Sequence, residues 1–199
     1  MVVGGLRIHL CPKVATTSIA RAYEHLEFCY EYPEDAGPEY RFMPVRHPLD
    51  RMVSAWAFFC HGGKQALRGQ PELQAIGCYD GMPFAKFAEL CLVHHECNIA
   101  TRMQTKYRGP HKIDEFCPSE NLDQRWPSLR DKFPFLRPLR WANSSNHDRW
   151  LSYFTPDLMT RSEKVFADDM ALYETSLTET ANEHDDARIF LQPEAPPRS

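Results

Sequence analysis

One stretch near the N-terminus constrains the fold more than any other, because it joins a strand pattern to a tight turn and a helix start. Apolar and polar residues alternate from Leu6 to Leu10, which is the period of a half-buried strand. The turn that follows is Cys11-Pro12-Lys13-Val14-Ala15-Thr16-Thr17-Ser18-Ile19. Apolar residues then recur at helical spacing, which predicts a helix from about Thr17 to Cys29.

The same order of elements occurs again further along the chain. Residues Tyr40 to Arg46 predict a second strand, although Pro44 argues against a central place in a sheet because proline has no backbone N–H. Pro48 then begins a helix with an apolar stripe. The sequence therefore predicts an α/β fold: a single domain with a mainly parallel central sheet flanked by helices and a P-loop-like nucleotide-binding topology.

The rest of the chain is predicted in coarser outline. The segment up to about Gly81 is expected to be an exposed loop or short helix. The later elements are a helical pattern in two halves over 83–107, a strand over Lys112 to Phe116, a helix over 122–133, and one or two helices from Ser145 to Tyr173. The domain is expected to span 1–191, and the proline-rich tail 192–199 is predicted to be disordered.

Composition limits the classes of function. The chain has 199 residues, of which 43% are hydrophobic, and this is enough for one domain with a real core. A net charge of −4 argues against a general nucleic-acid binder, which usually carries a strongly basic face. Seven cysteines without a C-x-x-C pair favour free thiols in a reducing compartment. With no long apolar run and no room for a signal peptide before the first strand, we expect a soluble, cytoplasmic protein.

The first turn has the chemistry of an anion site. Lys13 supplies a positive charge, and Thr16, Thr17 and Ser18 supply hydroxyl and backbone donors at a helix N-terminus. The alternative is that Thr17 or Ser18 caps the helix while Lys13 is a solvated loop residue. The spacing G-x-x-x-x-G-K-[ST] is absent, so nothing here indicates an ATP hydrolase or a kinase with a Walker A loop.

The second turn strengthens the anion hypothesis. Arg46 ends its strand, and Ser54 lies about two turns inside the next helix, so the guanidinium and the hydroxyl can converge on one anion. Arg51 could assist them or pair with a carboxylate such as Asp50. Taken alone, Arg46 could equally form a surface ion pair. Two anion-binding turns at one sheet edge are less common, and ligands bind at the carboxyl edge of such sheets.

Both turns resemble motifs of one enzyme family. The segment Pro12 to Ile19 resembles the 5′-phosphosulfate loop of sulfotransferases that use 3′-phosphoadenosine-5′-phosphosulfate (PAPS), and Val45 to Trp56 resembles their 3′-phosphate motif, R-x-P-x-x-R-x-x-S. Many relatives have a glycine where this loop has Val14-Ala15-Thr16. Looser similarity to carbohydrate sulfotransferases of the membrane-enzyme type, and to their bacterial or viral relatives, covers Asn98 to Thr105, Glu120 to Leu122, Asn143 to Thr155, and Asp168-Asp169.

The resemblance implies a function and a set of roles. The chain would move a sulfuryl group from PAPS to a hydroxyl of a small-molecule or glycan acceptor, leaving PAP, without a metal ion. Lys13 would stabilise the leaving oxygen and Arg46 and Ser54 would hold the 3′-phosphate, while the 5′-phosphosulfate would bind at Lys13, Val14, Ala15, Thr16, Thr17 and Ser18. In relatives the general base is a glutamate or a histidine, and the candidates here are Glu34, Glu31 and His61.

Other functions and other polar residues stay open at this stage. A non-catalytic module that binds PAP or another nucleotide could share the fold, and a nucleotide or shikimate-like kinase is disfavoured by the missing Walker A loop. The run His94-His95-Glu96-Cys97 invites a zinc hypothesis, but no second ligand pair supports it. Side chains that could contact cofactor or acceptor, with a surface or core role as the ordinary alternative, are Arg102, Gln104, Arg149, Trp126, Trp141 and Trp150.

Overall fold

A four-stranded sheet places both polar turns at one edge. The computed structural model describes residues 2–3, 5–22, 40–61, 64–110, 112–141 and 148–190. The strands are β1 (Val2–Val3), β2 (Leu6–Ile8), β3 (Tyr40–Val45) and β4 (Glu115–Pro118), in that order across the sheet. Strand β1 is antiparallel to β2, whereas β2, β3 and β4 are parallel, so the predicted α/β fold with a mainly parallel sheet is confirmed.

Strand β3 lies inside the sheet, so the expectation that Pro44 would exclude it from a central place was wrong. Strand β3 pairs with β2 on one side and with β4 on the other. The backbone groups of Tyr40 and Phe42 bond toward β2, and by alternation the nitrogen of Pro44 faces the same side. Pairing with β2 ends where His9 N donates to Phe42 O, at 2.8 Å. Pro44 therefore lies beyond the last residue of β2, where the missing N–H costs no ladder hydrogen bond.

The helices flank the sheet and extend beyond it. Their bounds are α1 (Thr16–Ala22), α2 (Pro48–Cys60), α3 (Lys64–Arg68), α4 (Pro71–Ala75), α5 (Phe84–His94), α6 (Leu122–Lys132), α7 (Pro156–Val165) and α8 (Ala167–Phe190). Short 3-10 helices cover His95–Cys97, Gln104–Arg108, Ser119–Asn121 and Trp150–Tyr153.

Several predicted boundaries were wrong. The second half of the helical pattern over 83–107 is two separate 3-10 turns, and the strand expected at Lys112 to Phe116 is β4, three residues later. The long C-terminal helix α8 runs well past the predicted end at Tyr173. The part of the first helix predicted to follow Ala22 and the tail 192–199 lie outside the described residues.

The two faces of the sheet are buried in separate apolar clusters. On one face, Leu6, Ile8 and Phe42 pack with Ile19 of α1 and Trp126 of α6. On the other face, side chains of β3 pack with Leu172 of α8 and with the first turn; they are Met43 and Val45, against Cys11 and Val14. Because the first turn is fixed to the core through Cys11 and Val14, its polar residues have a defined place at the sheet edge.

Candidate active site

The first turn has an unusual backbone. Lys13 and Ala15 both have positive φ, at 71° and 59°, a conformation that glycine adopts without strain and other residues seldom adopt. Left-handed residues that alternate with ordinary ones produce a concave run of backbone N–H groups, a geometry that binds anions. Thr16 fixes the turn from within, because its Oγ1 donates to Cys11 O at 2.8 Å.

Lys13 has a charge that is poorly solvated. Its Nζ lies 4.1 Å from the centroid of the Phe58 ring. Burial, together with the nearby positive charges of Arg46 and Arg51, lowers the pKa of Lys13 to about 8. A cation in this position gains more from a bound anion than a fully solvated lysine does, because partial burial has already weakened its hydration.

Arg46 joins the second turn to the first. Its Nε donates to Asp50 Oδ2 at 2.7 Å, and its second guanidinium nitrogen, Nη1, donates to Lys13 O at 3.0 Å. The ion pair that the sequence left open for Arg46 is therefore present, with Asp50 as its partner, but it lies beside Lys13 rather than on an isolated surface. Two cationic side chains from two strand ends thus meet in one place.

A cavity of about 810 Å³ opens at this meeting point. Of the residues predicted to bind the cofactor, those that line it are Lys13, Ala15, Thr16, Thr17, Arg46 and Ser54. Val14 and Ser18 are fully buried and do not contribute to the described lining. The structure therefore brings the cations and three of the hydroxyls of both predicted motifs to one site.

Arg51 is a buried residue that holds backbone segments next to the cavity. It is only 3% exposed, and its guanidinium donates to three backbone oxygens, those of Pro12 at 3.0 Å, Arg102 at 2.8 Å and Ile99 at 3.3 Å. Pro12 and Ile99 both line the cavity. Arg51 thus connects the first turn to the backbone at Ile99 and Arg102, which is a different role from the anion contact or carboxylate pair considered from the sequence.

Sequence reasoning did not assemble the aromatic wall of the cavity. His47 stacks on Trp150 with ring centroids 4.3 Å apart and meets the edge of Tyr173 at 5.1 Å. Tyr173 donates a hydrogen bond to Glu120, and Trp141 also lines the cavity. Burial lowers the pKa of His47, so the neutral imidazole is favoured. The available signals were the loose motif at Glu120 and the tryptophans at 141 and 150.

The comparison with known protein families decides the classification. The pattern of the sulfotransferase family matches residues 19–175, which is most of the chain. The chain belongs to the sulfotransferase family. The match includes Arg46 and Ser54 but begins at Ile19, after the first turn. No curated protein and no solved structure matches this sulfotransferase.

Among the described residues, no candidate base of this sulfotransferase lies in the cavity lining. Glu34 and Glu31 lie outside the described part of the chain. His61 follows α2 as an exposed residue, with its ring 4.5 Å from that of Trp56, and it is not part of the described cavity lining. The described lining instead contains two other carboxylates, of which Asp50 pairs with Arg46 and Glu120 accepts from Tyr173.

Four other residues that the sequence suggested as possible cofactor or acceptor contacts do not belong to the described cavity lining. Arg102 pairs with Glu96 at 3.3 Å, Arg149 is exposed away from the described lining, and Trp126 is a core residue. Gln104 is fully buried rather than exposed. Within the described residues there is no group of three potential metal ligands, and no helix there is long and apolar enough to span a membrane.

Proposed function

We propose that this sulfotransferase uses PAPS as its donor and transfers the sulfuryl group to a hydroxyl of a carbohydrate or glycoside. The observation that carries the proposal is the shared cavity of Lys13 and Arg46, at the carboxyl ends of two adjacent parallel strands. A nucleotide with phosphate groups at both its 3′ and 5′ positions presents two anionic groups, and the two strand ends each bring a cationic side chain to this cavity. When bound, PAPS supplies the activated sulfuryl group.

The residues present fit this donor. The positive-φ backbone at Lys13 and Ala15 and the hydroxyls of Thr16 and Thr17 suit a 5′-phosphosulfate, which offers many acceptor oxygens. Arg46 and Ser54 line the same cavity and suit the 3′-phosphate, for which a guanidinium can supply parallel donors. Lys13 would place its ammonium group against the oxygen that gains negative charge as the sulfur–oxygen bond to the 5′-phosphate breaks.

The acceptor proposal is supported by exposed rings at the cavity. Phe58 and Trp141 both line it and are 44% and 50% exposed. Exposed aromatic faces of this kind can pack against the apolar face of a sugar ring, while polar groups such as Gln70 and Glu120 on the same lining can bond its hydroxyls. We also propose a cytoplasmic location, since the six described cysteines are all free thiols.

For the proton of the acceptor hydroxyl we propose Glu34 as general base, with Glu31 and His61 as the other candidates. The support is the resemblance to sulfotransferases: in relatives with a glutamate base, that glutamate follows the loop lysine at a spacing similar to that between Lys13 and Glu34. The two carboxylates of the described lining already accept hydrogen bonds from Arg46 and Tyr173, which leaves each of them less suited to take a proton.

The transfer itself is tested by mass spectrometry of the full chain incubated with PAPS and a panel of glycans and glycosides. We expect one acceptor to gain the mass of a sulfuryl group and expect Glu34→Gln to abolish most of this turnover while PAP still binds. Turnover within a few-fold of wild type in Glu34→Gln excludes Glu34 as the base. Binding of PAP without transfer to any acceptor would instead support a non-catalytic module.

A further inference from the structure

Arg46 stands just past the end of its strand, where the sheet no longer supports its backbone. Strand β3 ends at Val45, and pairing with β2 has already ended beside Phe42. By the alternation of the strand, the N–H and C=O of Arg46 face the side on which β2 is no longer present. Without another partner these two groups would be left unpaired at the base of the cavity, and the side chain would lack a fixed origin.

Gln104 supplies both missing hydrogen bonds. Its Oε1 accepts from Arg46 N at 3.0 Å, and its Nε2 donates to Arg46 O at 2.8 Å. Gln104 is fully buried and does not belong to the described cavity lining, so these contacts are made from behind the site. A glutamine amide in this position takes the place of an additional strand and restricts the backbone dihedrals of Arg46.

Gln104 is itself held by a buried carboxylate from the other end of the chain. Asp169 on α8 has no exposed surface, and its two oxygens accept from Gln104 N at 2.7 Å and from Thr105 N at 2.9 Å. These N–H groups belong to the first turn of the 3-10 helix Gln104–Arg108, where backbone donors lack partners within the helix. A continuous chain of hydrogen bonds therefore runs from α8 to the backbone of Arg46.

From these contacts we propose that Gln104 and Asp169 are positioning residues, which direct the Arg46 guanidinium toward the 3′-phosphate of the donor without touching it. The inference rests on the proposed function, because it assumes that Arg46 meets that phosphate. The hydrogen bonds of Asp169 and Gln104 therefore act on nucleotide recognition only through Arg46.

The test compares two nucleotides that differ only in the 3′-phosphate, PAP and AMP, by titration calorimetry. The variant Gln104→Met keeps the length of the side chain and removes both amide hydrogen bonds. We expect it to weaken PAP binding by about tenfold or more, the loss typical of a charge-assisted contact, and to change AMP binding by less than about twofold. In an Arg46→Ala background the same substitution should change PAP affinity by less than about twofold.

The matched control is Gln74→Met. Gln74 is exposed on α4, and its amide also donates to a backbone oxygen, that of Leu67 at 3.2 Å, away from the described cavity lining. This variant should leave the affinities for both nucleotides unchanged. If Gln104→Met fails to fold, Asp169→Asn replaces it, with an expected PAP-selective loss of about threefold because one acceptor oxygen is retained.

Three results are distinguishable. An equal loss of PAP and AMP affinity, or additive losses in the double variant, overturns the positioning role and leaves a merely structural one. A PAP-selective loss in Arg46→Ala without any loss in Gln104→Met also overturns it, while the proposed function stands. No binding of PAP to the wild-type chain overturns the proposed function itself, and the inference with it.

Discussion

At the scale of single residues, the protonation state of Lys13 should control donor binding. Its pKa is lowered to about 8, mainly by burial, so above that pH the free protein loses the charge that we propose attracts the 5′-phosphate. We expect PAP affinity to fall by up to about tenfold per pH unit above about pH 8, a range in which the phosphates themselves are already fully ionised. Calorimetry between pH 7 and 9.5 measures this directly.

The control is Lys13→Arg, because a guanidinium keeps its charge over this whole range. Its PAP affinity should be nearly constant from pH 7 to 9.5. Parallel pH dependence in the two proteins would show that another group is responsible.

The same lowered pKa has the opposite effect on stability: the unfolded chain binds the Lys13 proton more strongly, so the free energy of unfolding should rise from about pH 8 to about pH 10.5.

Ala15 shows that residue type alone does not predict the backbone conformation of the first turn. Many relatives have glycine in the loop, and the replacement by Val14-Ala15-Thr16 was visible in the sequence. The structure shows that Ala15 still adopts the left-handed conformation that glycine would favour. The residue type alone could not reveal this, because the strain is offset by contacts made elsewhere, including the burial of the neighbouring Val14 side chain in the core.

At the scale of elements, Arg51 of α2 should be a major source of stability. Replacing it by leucine leaves Arg102 O without its donor and Pro12 O with only a long contact from the Cys11 thiol, whereas Ile99 O keeps a hydrogen bond from Tyr107. We expect Arg51→Leu to lower the free energy of unfolding by about 2 kcal/mol, since each partly buried group left unpaired costs about 1 kcal/mol or more. Urea unfolding followed by circular dichroism measures the loss.

The matched control is Arg161→Leu on α7. Arg161 is an exposed arginine whose partners are the carboxylates of Glu89 and Asp157. Exposed ion pairs contribute little, so this variant should lose less than about 1 kcal/mol. Equal losses in the two variants would contradict the role given to Arg51.

Elements with a strong local signal could be predicted from the sequence, and those fixed by pairing could not. Pro48 at the start of α2 and the apolar stripe behind it defined that helix almost to its bounds. The start of β4 was misplaced by three residues, from Lys112 to Glu115, because a four-residue strand has too few positions to show its period. The place of Pro44 depended on where β2 ends, which is a property of the neighbouring strand.

At the scale of the whole molecule, the position of the two polar turns at one sheet edge could be predicted but the cavity between them could not. Lys13 and Arg46 each follow a strand, and topology brings the ends of parallel strands to one edge. The aromatic wall joins His47, Trp150 and Tyr173 from three distant segments. No local pattern in the sequence signals such contacts, and the same holds for the buried hydrogen bonds of Gln104 and Asp169.

The central claim is that one site binds a nucleotide with phosphate groups at both ends. Titration calorimetry of the full chain with PAP and with ATP tests it most directly. The account predicts tight binding of PAP, negligible binding of ATP, and a loss of PAP affinity of about tenfold or more in both Lys13→Ala and Arg46→Ala. Failure of PAP to bind, or unchanged PAP affinity in these two variants, would contradict it.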